Sequence, residues 1–324
     1  MTTSTTNHRI VIDGCEINEW DAEVLSELTA GGVTGVHATC AVWEGTRDTL
    51  RNLAAWNRRF RDPAGHVRLA TTAEDVSAAA RDGEIAVILG FQNTSPIEDD
   101  LELVEQFHTL GVRVMQLTYN IQNLVGGSCY EPADSGLTRF GKLVVEEMNR
   151  VGMLVDLSHV GERTALEAIH ASTSPVAITH ANPRSFHDSP RNKTDLLIKE
   201  LVAAGGVIGC TIYPPFIGGA ERTLDEFCAM IEQLCADIGP DHVAIGSDLT
   251  RNWDDRYLTW LRDGSWRSPA DPPPTWPDWP TWFSSAADFP NLEDGLRSRG
   301  ISESDIAGIL GGNWLRLFGA VFGG

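Results

Sequence analysis

Two histidines and an aspartate close apolar runs in this chain: Asp156-Leu157-Ser158-His159, Ile178-Thr179-His180 and Gly246-Ser247-Asp248. Imidazole nitrogens and a carboxylate are donors from which divalent-metal sites are built, provided they converge. One histidine at the end of such a run is ordinarily a hydrogen-bonded structural residue. Two on successive runs, with an aspartate ending a third, point to a shared site. Other polar side chains end neighbouring runs: Cys15, Cys40, Gln92, Tyr119 and Tyr213. Cys15 could be a ligand, a nucleophile with a histidine as base, or an inert filler of space. Tyr119 could donate to a developing oxyanion. Arg191, in Pro190-Arg191-Asn192, carries the planar fork that grips a carboxylate.

The stretch from Asn120 to Glu131 is rich in amides and contains Gly126-Gly127. It suits either hydrogen-bond readout of a polar substrate or the loop's own turn chemistry. Trp43 and Glu44 could form an aromatic wall beside an anion, a place for a cationic amine.

Such residues need a scaffold that brings run ends together. The candidate strands are 10–14, 33–40, 85–92, 112–119, 153–159, 176–180, 207–213 and 243–248, rich in Val, Ile and Leu. Several lack alternation, as parallel strands buried on both faces do. Amphipathic segments lie between most of them, among them 98–110, 140–151, 196–204 and 224–238, and glycines follow at 111, 152, 205 and 239. Eight strands alternating with helices predict an α/β chain folded as a (β/α)₈ TIM-type barrel, with its active residues at the C-terminal strand ends. A doubly wound open sheet would more often carry a glycine-rich phosphate loop after its first strand, and Gly14-Cys15-Glu16 is no such loop. The chain reads as one domain, 1–324. The Trp- and Pro-rich stretch 253–288 breaks the pattern as an insertion after the eighth strand: a surface loop, a lid or a dimer contact.

Composition narrows the function. The 25 Lys and Arg against 45 Asp and Glu give a net charge of −20. That lacks the basic footprint of a nucleic-acid binder and disfavours an anionic membrane surface. No apolar run approaches the ~18 residues of a membrane span, and the polar first residues carry no secretory signal. Six scattered cysteines without a C-x-x-C pair read as reduced thiols, so the expected compartment is cytoplasmic.

Several stretches are similar to the membrane (renal) dipeptidases, metal-dependent hydrolases of the amidohydrolase superfamily. They are Leu117-Thr118-Tyr119-Asn120, Gly136-Leu137-Thr138-Arg139-Phe140-Gly141, the block from Asn149 to Val160, His187-Asp188-Ser189-Pro190-Arg191-Asn192, Ile245-Gly246-Ser247-Asp248 and Gly311-Gly312-Asn313-Trp314. The resemblance implies a distorted (β/α)₈ barrel, a two-zinc site, dipeptide hydrolysis and a homodimer. It places His159 and His180 on one metal, Asp248 at the other, and Arg191 on the substrate carboxylate. Three family features are missing. Where a His-x-Asp pair should follow Asp13-Gly14, this chain has Cys15-Glu16-Ile17. The bridging glutamate is Gln92. A histidine that meets the reacting carbonyl is Tyr119.

Ile17 cannot bind a metal, and a neutral amide at Gln92 cannot bridge two cations as a carboxylate does. The expectation is therefore a divergent hydrolase of a small carboxylate-bearing amide or dipeptide, with at most one zinc, held by His159, His180, Asp248 and Cys15. Catalytic roles then fall to Asp248, Tyr119 and Gln92, and substrate contacts to Arg191, Tyr119 and Asn120. Two other readings stay open: metal-free acid/base chemistry of an isomerase or lyase type, and a non-catalytic binding protein.

Overall fold

The structure, a computed structural model, describes residues 9–264 and 273–323. Its strands are β1 (Ile12–Glu16), β2 (Gly35–Ala41), β3 (Val67–Leu69), β4 (Ile85–Phe91), β5 (Val112–Gln116), β6 (Leu154–Asp156), β7 (Ala177–Ile178), β8 (Val207–Cys210) and β9 (Val243–Ile245). All pair in parallel, in the order β1-β2-β4-β5-β6-β7-β8-β9, with β3 added beside the start of β4. The ring closes where Asp248 N–H donates to the Cys15 carbonyl at 2.9 Å and Ile17 N–H to the Leu249 carbonyl at 2.8 Å. This is the predicted (β/α)₈ barrel.

Each of the eight expected runs overlaps a strand. Three details correct the sequence reading. The three-residue strand β3 was not expected, being too short to carry a periodic signal. The first strand ends at Glu16 rather than Gly14. Most of the others stop short of the polar residue that closes the run, so Gln92, Tyr119, His159, His180, Tyr213 and Asp248 stand just beyond the last residue of a strand. There their side chains face the open end of the barrel instead of a neighbouring ladder.

Helices lie between the strands where the amphipathic segments predict them, including Arg139–Val151, Asp195–Ala203 and Leu224–Ile238. The first of these ends on Gly152 at φ 80°, the left-handed cap only glycine adopts freely. Outside the ring, strand and helix side chains form one continuous core. Inside it, Ile12, Ile88, Val114, Leu154 and Val207 cluster with Trp314. The helix Asn313–Val321 brings Trp314 under the barrel, where its indole N–H donates to the Ile245 carbonyl at 2.8 Å. A Cβ on Gly14 would lie 2.4 Å from the Trp314 ring, so β1 needs glycine there. The closed end leaves the opposite, C-terminal end for chemistry.

After β9 the chain forms the helix Asp255–Asp263 and returns through 273–288 to a short turn at Ala286–Asp288. Part of the expected insertion, 265–272 with Trp266, lies outside the described residues.

Candidate metal centre

His159 and His180 follow β6 and β7, adjacent strands of the ring, and their Nε2 atoms lie 3.1 Å apart. The tautomer of each follows from its other nitrogen. Asp156 accepts from the hydroxyls of Ser158, at 2.6 Å, and Thr179, at 2.7 Å. Because Thr179 spends its proton on Asp156, it must accept at 2.8 Å from His180 Nδ1–H. His159 Nδ1–H donates to Asn120 Oδ1 at 2.8 Å. Both Nε2 atoms therefore carry lone pairs into the site. Both imidazoles are held neutral: burial, and next the Arg191 charge, push their pKa values well below the usual range.

Two facing lone pairs repel unless a cation sits between or beside them. The thiol of Cys15 and the carboxylate of Asp248 meet His180: Cys15, His180 and Asp248 each offer a donor atom within 4.8 Å of the others. Burial, then the Asp248 charge, raises the Cys15 pKa well above that of a free thiol, so without a cation Cys15 is protonated. Burial raises Asp248 to about 7, against the lowering effect of Arg191. A divalent ion reverses this logic by favouring thiolate and carboxylate. Two imidazole nitrogens and a sulfur, with the Asp248 carboxylate beside them, suit zinc.

The seam between β1 and β9 positions two of these groups. Asp13 is fully buried and accepts from Ser247 N at 2.8 Å, from Cys15 N at 3.3 Å and from the Ser247 hydroxyl. It thereby ties the neighbours of Cys15 and Asp248 together. Asp248 itself adopts φ 62° and Asn120 φ 57°, left-handed backbone that Asp and Asn tolerate better than bulkier residues. Such strained conformations tend to gather at functional sites.

The other expected residues fall differently. The Gln92 amide donates to Cys15 Sγ at 3.3 Å and to Thr39 Oγ1 at 3.0 Å, so one of its N–H groups faces the sulfur and supports a thiolate. Tyr119 stacks on His159, ring centroids 4.2 Å apart. Burial raises its pKa well above 10, which keeps the phenol a donor. Arg191 is fully buried behind the histidines. Its guanidinium donates to the carbonyls of Ser158 and, at 2.7 Å, His180, and lies 4.9 Å over the Phe216 ring.

Glu16 is buried and takes a hydrogen bond from Asn18 at 2.5 Å. Cys40 leaves the site, bonding to the Ala38 carbonyl. Trp43 and Glu44 do not form one wall. Trp43 meets Tyr119 edge-on at 5.4 Å, while Glu44 turns to Val42 N and Asn52 Nδ2 beside a separate cavity of about 270 Å³. In the amide-rich loop, Asn123 spends its side chain on the loop and its neighbours, at Leu117 O, Val125 N and Gly126 N. That is turn chemistry. Asn120, Ile121 and Tyr130 of the same loop do face the site.

Above the donors opens a cavity of about 410 Å³, with Asp248, His159, Gln92 and Tyr119 in its floor. Sequence reasoning singled out none of the residues on much of its wall: Phe216, Leu258, Leu261, Arg262 and Trp276. These come from loops and from the helix Asp255–Asp263, where no apolar run announces a strand end. Trp276 belongs to the Trp-rich stretch, and its indole is anchored on the Asp254 carbonyl at 3.1 Å. No helix among the described residues is long and apolar enough to cross a membrane.

Known proteins are similar to this chain in sequence and fold. The model of the membrane dipeptidases, peptidase family M19, matches residues 16–253. An uncharacterized dipeptidase of Schizosaccharomyces pombe is 32% identical over 215 residues, 63% of this chain and 51% of that protein. The dipeptidase verJ of Clonostachys rogersoniana is 29% identical over 283 residues, 87% of this chain and 67% of its own. The chain thus spans about half the length of the Schizosaccharomyces relative. Among solved structures, an amidohydrolase from Pseudomonas aeruginosa superposes with a TM-score of 0.92 at 36% identity, covering 98% of this chain and 97% of that one. A metallopeptidase from Rhodobacter sphaeroides bound to a phosphinate mimic of L-Ala-D-Ala shares the fold, with a TM-score of 0.81 at 20% identity over 97% of this chain and 99% of that one. With the family model matched over most of the barrel and the histidines and aspartate at its strand ends, the chain belongs to the membrane dipeptidase family.

Proposed function

We propose that the protein is a metal-dependent hydrolase of a small amide or dipeptide, working with a single divalent ion, zinc by its donor chemistry. The carrying observation is the pair of Nε2 lone pairs 3.1 Å apart, beside a buried thiol and carboxylate. Cys15, His159 and His180 would hold the ion. A second ion lacks ligands, because Ile17 is a hydrocarbon on the cavity wall and Gln92 is a neutral amide whose nitrogen donates to Cys15 and Thr39.

A bound divalent ion would supply polarisation of the scissile carbonyl and a lowered pKa for a water. The chain's own residues do the rest. Asp248, which a neighbouring divalent ion would favour as a carboxylate, is poised to take a proton from the attacking water and return it to the leaving amine. Tyr119 keeps its phenol proton and can donate to the carbonyl oxygen as charge develops. Gln92 donates to the Cys15 sulfur and holds its charge in place. Thr179 and Asn120 fix the two imidazoles.

The test combines elemental analysis with cobalt substitution. About one equivalent of metal per chain is expected, together with a thiolate-to-cobalt absorption band that vanishes in Cys15→Ser. His159→Ala should lose the metal, whereas Asp248→Asn should keep it and lose dipeptide turnover. Two equivalents per chain, or a cobalt spectrum unchanged in Cys15→Ser, would sink the mononuclear thiolate site.

A further inference from the structure

The cavity beside Glu44, of about 270 Å³, shares no wall residue with the one above the donors. The helix Thr46–Arg59 turns one face to it, with Asn52, Trp56 and Arg59 spaced i, i+4 and i+7. Trp20, after β1, and Trp253 and Tyr257, after β9, make the wall largely aromatic. Thr39 also belongs to it, and its hydroxyl accepts from Gln92 at 3.0 Å, so the cavity backs onto the metal centre.

Three polar groups on that wall lack partners among the described residues. The Glu44 carboxylate accepts from Val42 N at 2.8 Å, Trp43 N at 3.2 Å and Asn52 Nδ2 at 3.0 Å, but no cation stands beside it. Arg59 donates through Nε to the Trp20 carbonyl at 3.0 Å and lies 5.2 Å over the Trp56 ring, yet its Nη groups find no acceptor and no carboxylate pairs with it. Glu19, the remaining charged residue of the wall, is exposed and forms no ion pair with Arg59. The Trp20 indole N–H is buried with no partner at all. Burial raises the Glu44 pKa against the pull of its donors and lowers that of Arg59, so each charge is desolvated without compensation. Both charges are felt at Cys40, which lies on the same wall, so they face one small volume. A lone ammonium there meets the repulsion of Arg59, and a lone carboxylate that of Glu44. A ligand bearing both charges compensates both. At about 270 Å³ the space falls just below drug-sized pockets, which begin near 300 Å³, and suits a single amino acid.

We propose that this cavity binds a free zwitterionic α-amino acid with an apolar side chain. Its ammonium pairs with Glu44, its carboxylate with Arg59 and the Trp20 indole N–H, and its side chain packs among the rings of Trp56, Trp253 and Tyr257. Dipeptide hydrolysis, as proposed above, releases such a molecule, but the binding needs neither turnover nor the metal ion.

Calorimetry with L-phenylalanine, phenethylamine and 3-phenylpropionate tests this, because the second compound lacks the carboxylate and the third the ammonium. The wild type should take up one phenylalanine per chain with a Kd below about 1 mM. Each analogue should bind about 10- to 100-fold more weakly. Glu44→Gln should abolish the advantage over 3-phenylpropionate, and Arg59→Gln the advantage over phenethylamine. His159→Ala, altered only at the metal centre, should bind phenylalanine as the wild type does. No phenylalanine binding, equal affinities for the three compounds, preferences that survive both charge variants, or loss of binding in His159→Ala would each overturn the proposal. Melting temperatures identify a charge variant that fails to fold, and the three compounds on the wild type then still decide.

Discussion

The Nε2 atoms of His159 and His180 point at each other across 3.1 Å, each with its proton held on the far side of the ring. The hydroxyl of Thr179 is central to this. It donates to Asp156 and so can only accept from His180. Thr179→Val removes that acceptor, leaves His180 free to change tautomer, and strands a buried ring nitrogen. We expect metal affinity to fall about 10- to 100-fold, the usual effect of losing a ligand's outer partner. Competition with a chromophoric chelator measures it, and an unchanged affinity would show that Thr179 does not set the tautomer.

Lys193 provides a pH signature. It is buried, donates to the Val160 carbonyl at 3.1 Å, and burial lowers its pKa to about 7 from the ordinary 10.5. Between those two values the unfolded chain carries a proton that the folded protein does not. Stability therefore rises with pH across that window, by at most about 1.4 kcal/mol per pH unit from this group. Below pH 7 both states are charged, and the fold bears the cost of burying the ammonium. Lys193→Met should flatten the rise. Urea midpoints at acidic, neutral and alkaline pH, wild type against variant, give the difference; parallel curves refute the assignment.

The sequence made the barrel and the floor of the site legible for one physical reason. A parallel strand buried on both faces is a continuous apolar run, so the first polar residue after it marks the open end of the ring. His159, His180 and Asp248 are found that way. Cys15 could not be placed with the same certainty, because the pairing of β1 with β2 shifts between Asp13 and Glu16 and the alternation of faces breaks there. Arg191 was legible as a motif but not in its direction, since its commitment to the Ser158 and His180 carbonyls depends on a loop conformation. Arg262 and Trp276 were invisible for a related reason. They lie in a stretch whose Trp and Pro content reads as irregular, and only the helix Asp255–Asp263 and the Trp276 anchor bring them to the cavity wall.

Trp314 is the plug on which the strand ends depend. It is fully buried under the barrel, bonded to the Ile245 carbonyl, and close enough to β1 and β8 that Gly14 and Gly209 could not carry a Cβ. Trp314→Ala leaves a large cavity beneath the ring and frees a carbonyl. A loss of about 3–5 kcal/mol is expected in denaturant unfolding. A loss under about 1 kcal/mol would mean that the helix Asn313–Val321 re-packs to fill the space.

Metal removal should be felt in the fold as well as in turnover. Cys15 belongs to β1, beside the seam where the ring closes on β9 through only a few backbone bonds. His180 follows β7 across the site. An ion held by Cys15 and the two histidines therefore cross-links the first strand to the middle of the sheet. A ligand that binds only the folded state, at roughly 1,000-fold above its Kd, stabilises by about 4 kcal/mol. Stripping the ion with a chelator should accordingly lower the melting temperature by several degrees, and zinc should restore it. The His159→Ala protein should melt at the stripped value with or without zinc. A wild type whose melting is indifferent to chelator would show that no ion links β1 to the middle of the sheet.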